Sequence, residues 1–212
     1  MKKLDISFVV AGSMMTILFL IIVNLLTGTS HMWSVYPVIA LFLFPIGVYS
    51  IIKKRYTLFT SWASLLLMGF LIFENYRDTP DYPWFLYVFF PLVILPVVSG
   101  LRKRWPQFRL AFIITMLTII YYVSLNLFLS PQYPWAMFPV FAVIWWPLTV
   151  YHIQKETYFK YSIHAALLLG IFFTSVNAVF SPATIWAVYP IFGVLWWPLS
   201  MYFFVHKRKS HT

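Results

Sequence analysis

The chain has 212 residues, 62% of them hydrophobic, 22% aromatic and only 9% charged. A soluble domain carries about 25% charged residues, so there is too little polar surface here to face water, and the composition is that of a membrane protein. The formal charge of +10 would suit a nucleic-acid ligand, but its placement does not; the absence of Cys excludes disulfides, thiolate metal sites and Cys catalysis.

In chain order, Met1-Lys2-Lys3 precedes an apolar run from Ile6 to Leu26. That run exceeds the ~7–15-residue core of a signal peptide, so it is read as the first membrane helix. Eight apolar segments of roughly membrane-spanning length follow one another. Four first-type helices, here A, are predicted at 6–26, 57–76, 109–129 and 160–180. Four second-type helices, here B, are predicted at 33–52, 84–101, 135–153 and 185–205. Short linkers join each A to its B, and basic segments separate the pairs.

The pairs are copies of one another. Trp33, Trp84, Trp135 and Trp186 are spaced by 51 residues; an Asn stands nine residues before each (Asn24, Asn75, Asn126, Asn177) and a Pro twelve after (Pro45, Pro96, Pro147, Pro198). A period of this length marks one supersecondary unit repeated in tandem. The expectation is an all-α integral membrane protein of eight transmembrane helices. They form four parallel, pseudo-symmetric two-helix hairpins in one membrane domain, with repeats 1–52, 53–103, 104–154 and 155–212. An even number of helices per repeat gives rotation about the membrane normal rather than inversion.

The cations set the orientation. Lys2, Lys3, Lys53, Lys54, Arg55, Arg102, Lys103, Arg104, Arg109, Lys155, Lys160, Lys207, Arg208 and Lys209 flank one set of loops, whereas Arg77 alone lies on the other. This asymmetry places both termini in the cytoplasm. It also makes anionic lipid, not nucleic acid, the partner of the positive charge; a nucleic-acid reading would want those cations on a separate folded domain.

Each repeated residue has a structural and a functional reading. The Trp at the entrance to helix B suits a membrane interface, with its ring in the apolar layer and its N–H wet. The deeper Pro should kink helix B by removing one ladder hydrogen bond. Behind it, Trp145-Trp146 and Trp196-Trp197 fill the space at the kink, face lipid, or form a ligand-stacking cage. The Asn terminates helix A or bonds between helices; the alternative is a polar ring lining a shared vestibule.

Glu74, Asp78 and Asp81 surround Arg77 in the second copy only. They form local ion pairs in a wet loop or a cation or substrate site, and Glu74 joins the four Asn as a vestibule candidate. His31, His152, His164, His206 and His211 are scattered, with no metalloprotease spacing. There is no phosphate loop or nucleophile elbow. No catalytic or metal residue and no cofactor are therefore assigned.

Val176-Asn177, Ser181-Pro182, Trp186, Tyr189-Pro190 and Trp196-Trp197-Pro198-Leu199 resemble the bacterial 2TM family of two-helix membrane domains. Val23-Asn24-Leu25-Leu26, Trp33 and Tyr36-Pro37 look similar. The resemblance implies a bacterial cytoplasmic membrane and carries no catalytic residue with it. A tetrameric potassium-channel arrangement is excluded by linkers too short for a pore helix and by the missing Thr-Val-Gly-Tyr-Gly filter. The expected function is a non-enzymatic membrane scaffold or regulatory partner of another membrane protein. The alternative is a small-solute transporter or channel using a vestibule between the hairpins.

Overall fold

The computed structural model describes residues 6–28, 32–101, 103 and 107–207, with the backbone alone for His206. Of the residues discussed above, Lys2, Lys3, His31, Arg102, Arg104, Arg208, Lys209 and His211 lie outside this set. Among the described residues there are eight α-helices and no strand. They are α1 (Ile6–Thr27), α2 (Val35–Ile52), α3 (Tyr56–Asp78), α4 (Leu86–Leu101), α5 (Gln107–Leu129), α6 (Met137–Gln154), α7 (Tyr158–Phe180) and α8 (Val188–Met201), the last continued by a π-helical turn, Tyr202–His206. Each is predominantly apolar, α3 ending on the polar stretch Glu74-Asn75-Tyr76-Arg77-Asp78.

Among the described residues, six helices are long and apolar enough to cross a membrane: α1, α2, α3, α5, α7, and α8 with its continuation. This is the pattern of a multi-pass membrane protein. α4 is apolar but has only 16 residues. Large side chains face outward on every helix, with Phe128 85% and Leu26 81% exposed. Such surfaces are far too apolar for water and fit hydrocarbon.

The chain divides into two compact units, Met1–Lys103 and Arg104–Thr212. Each holds two of the four sequence repeats. Within each unit, every A helix packs chiefly on the B helix that follows it. The second and third helices of a unit are joined by turns of a few residues, too short for anything but an antiparallel reversal. There the left-handed positions are taken by Lys54 (φ 55°) and Glu156 (φ 53°), which are 102 residues apart. Arg55 N–H bonds the Ser50 carbonyl and Thr157 N–H bonds the His152 carbonyl, the six-to-one bond of a Schellman ending without its usual glycine.

Two sequence expectations shift. Helix B starts two or three residues later than predicted, because the anchor Trp lies in a turn ahead of it. The second concerns length: α4, predicted over 84–101, is a helix of 16 residues, Leu86–Leu101, while Pro45, Pro91, Pro96, Pro147 and Pro198 all lie inside their helices.

Candidate functional site

The four Asn side chains do one job four times. Each is buried, with 2–7% of its surface exposed. Asn126 Nδ2 donates to the Ser130 carbonyl (2.7 Å) and the Tyr133 carbonyl (2.9 Å), and its Oδ1 accepts from Ala136 N–H (2.9 Å). Asn75 repeats this with Thr79, Tyr82 and Phe85. Asn177 repeats it with Ser181, Thr184 and Ala187, and also accepts from Trp186 N–H. Asn24 donates to the Gly28 carbonyl and accepts from Ser34 N–H.

One amide thus satisfies the carbonyl just past the end of helix A, in three copies a linker carbonyl as well, and an N–H at the start of helix B. The B helices need this remote cap, since the local N-cap residues Ser34, Ala136 and Ala187 make no side-chain cap bond. The Asn residues do help terminate helix A, but through their side chains; their own backbone stays helical. Gly28 alone of the four following residues has a left-handed φ, +125°. Pro80, Pro131 and Pro182 stop the other three A helices from continuing.

In the second, third and fourth copies the anchor Trp adds to the staple. All four rings are half-buried. Trp84 Nε1 donates to Thr79 Oγ1 (2.9 Å) and Trp135 Nε1 to Ser130 Oγ (2.7 Å). Trp135 stands edge-on to Tyr122, and Trp186 edge-on to Phe173. The ring is therefore a wedge between linker and helix A as well as a residue of interfacial type.

Pro147 deprives the Val143 carbonyl of its ladder donor, and Thr115 Oγ1 on α5 donates to it instead, at 3.2 Å. Thr115 sits at the repeat position of Ser13 and Ser64, and all three are buried. The fourth copy has Ala166 there. This buried hydroxyl series escaped the sequence reading, although its spacing of 51 was visible.

Glu74 is not in a wet loop. It is 5% exposed, and its Oε2 accepts from Tyr36 Oη (2.7 Å) on α2 and from Arg77 Nη2 (2.8 Å). Arg77 also grips both oxygens of Asp78 and lies over the Phe73 ring. A buried carboxylate is tolerable only when paired in this way. The carboxylate ties α2 to α3, while Asp81 lies exposed in the following turn.

The same seam recurs 102 residues later with different chemistry. Phe138 meets Phe172 edge-on as Tyr36 meets Phe70. Position 138 lacks the hydroxyl of Tyr36 and position 176, a Val, lacks the carboxylate of Glu74. The polar tie lies instead at the opposite end of the seam. His152 Nε2 and His164 Nδ1 are 2.9 Å apart, His152 Nδ1 meets Thr157 Oγ1 at 2.7 Å, and Thr149 Oγ1 meets Tyr161 Oη at 3.0 Å. His164 is thus not solitary. Its partner lies 12 residues away, and only the antiparallel reversal between α6 and α7 brings the two together. Among the described residues, no three His, Cys, Asp or Glu converge on a metal position.

Every buried side-chain polar atom described has a partner. The larger depressions are instead open, apolar grooves. In the second unit, α7 and α8 border one of about 570 Å³, with Ala166, Gly170 and Thr174 along α7 and Leu195 and Pro198 along α8. Compared with known protein families, curated proteins and solved structures, the chain matches none.

Proposed function

We propose that the protein is a non-enzymatic, eight-span protein of a bacterial cytoplasmic membrane. Its four hairpins run in parallel, with both termini cytoplasmic, and it acts as a scaffold or regulatory partner for another membrane protein. The polar residues that would have to build a vestibule are engaged in holding the hairpins: each Asn is stapled into its own A-to-B linker, and Glu74 is bound by Tyr36 and Arg77. The resemblance to 2TM hairpins supports the bacterial setting, and the one-sided cations support the orientation.

The observation that carries the partner reading is the α7–α8 groove. Its α7 wall is a run of small residues, Ala166, Gly170 and Thr174, at intervals of four, the spacing that lets helix backbones approach closely in lipid. A Cβ added at Gly170 would meet no atom within 4 Å, so the space there is open. Ala166 also offers no hydroxyl of the kind Thr115 gives to Val143.

The test is co-purification from native membranes in mild detergent. Wild type should retain a stoichiometric membrane protein, and Gly170→Leu should lose it while keeping its abundance and melting temperature. Retention by Gly170→Leu would refute the groove. Solute flux through purified protein in vesicles, with no retained partner, would favour the transporter alternative.

A further inference from the structure

In the first unit the ridge Phe42, Ile46 and Tyr49 of α2 separates two grooves. One, of about 550 Å³, lies between α2 and α3; the other, of about 400 Å³, lies between α1 and α2. Both borders include all three ridge residues, so the grooves lie on either side of this ridge. Their walls are almost wholly apolar. Arg55 is the charged residue bordering the larger groove, and it closes the turn Lys53-Lys54-Arg55, whose residues are all exposed.

The second unit supplies an internal comparison. Positions 102 residues on from Ser50, Arg55, Phe59 and Trp62 are His152, Thr157, Tyr161 and His164; His152 bonds Thr157 and His164, and Tyr161 bonds Thr149, across the seam. The corresponding turn reads Lys155-Glu156-Thr157, one cation against one anion. Where this end of the α6–α7 seam is polar and tied, the matching end of the α2–α3 seam is open and crowned by three cations; the second unit's groove between α5 and α6, about 300 Å³, is smaller than its counterpart between α1 and α2.

We infer that the first unit holds one anionic diacyl phospholipid. Its two acyl chains straddle the Phe42–Ile46–Tyr49 ridge and its phosphate lies on the Lys53–Arg55 turn. Two adjacent apolar channels match two chains, and three clustered cations match an anionic head group. The inference rests on the membrane reading and is independent of the α7–α8 partner.

Native mass spectrometry of the whole protein tests it, after exchange into nanodiscs of phosphatidylglycerol and phosphatidylcholine and release into detergent. Wild type should keep one phosphatidylglycerol and no phosphatidylcholine. Neutralising Lys53, Lys54 and Arg55 to Gln should weaken retention about fivefold per cation. Lys155→Gln should leave it unchanged. Ala63→Phe, which fills the larger groove, should lower retention with the turn intact. Size-exclusion profile and melting temperature show that each variant is folded; the exposed charge variants keep the test alive if Ala63→Phe does not fold. Equal retention of both lipids, or no effect of neutralising the turn, would overturn the inference. Extraction of the wild type from membranes without detergent would instead defeat the membrane reading itself.

Discussion

Replacing Asn126 by Ala removes three hydrogen bonds together: two to the carbonyls of Ser130 and Tyr133 and one from Ala136 N–H, all between 2.7 and 2.9 Å. The net value of such a bond is about 0.5–1.5 kcal/mol in a soluble protein and averages about 0.6 kcal/mol within membranes. The truncated site also strands backbone groups, because Asn126 is 7% exposed and water has little access. The expected loss is therefore about 2–4 kcal/mol. Asn126→Asp keeps the acceptor for Ala136 N–H but turns the donor into a second acceptor facing two carbonyls, so it should be no better than Ala. The assay is reversible unfolding of the protein in detergent with increasing sodium dodecyl sulfate, followed by Trp fluorescence. A loss below about 0.5 kcal/mol, the size of an ordinary surface change, would refute the staple. So would full rescue by Asp.

Three further outcomes follow from the same geometry. Tyr36→Phe removes a donor to a buried charge and should cost about 1.5–3 kcal/mol, whereas Tyr36→Phe with Glu74→Val, the residues of the second seam, should cost less than the sum of the single changes in the same unfolding assay. Thr115→Val leaves the Val143 carbonyl without its hydroxyl partner and should cost about 1 kcal/mol, while Ser175→Val, away from any proline-freed carbonyl, serves as the control expected near zero. Lys54→Gly and Glu156→Gly relieve left-handed side chains and should each stabilise by about 1 kcal/mol; destabilisation by either would contradict the turn geometry.

Much of this fold was legible because lipid imposes a coarse rule: a spanning segment must be apolar and helical. The apolar runs therefore located the helices; boundaries moved by up to two residues on helix A and by two or three at the start of helix B. There the chain is neither helix nor free loop but a turn held by an Asn about ten residues upstream. The Asn series was visible by its spacing, yet its role was not, since the sequence does not say which backbone groups a side chain will reach. Glu74 was singled out as symmetry-breaking, and it does mark a place where the two seams differ; its burial depended on Tyr36, a residue 38 positions away. The His152–His164 pair was missed for a similar reason. Neither residue lies on the other's helix, and only the reversal at Glu156 superposes their heights. The fourth-copy Ala166 shows the opposite case, where a departure from the Ser13, Ser64 and Thr115 series could have pointed to the groove from sequence alone.

The scaffold account is tested most directly by photocrosslinking in native membranes from a benzophenone amino acid placed at Thr174, on the groove wall, with Ile120 on α5 as a lipid-facing control (63% exposed). The account predicts one discrete protein adduct from position 174 and only lipid adducts from position 120, with the position-174 adduct lost in Gly170→Leu. Lipid adducts alone from both positions would contradict it.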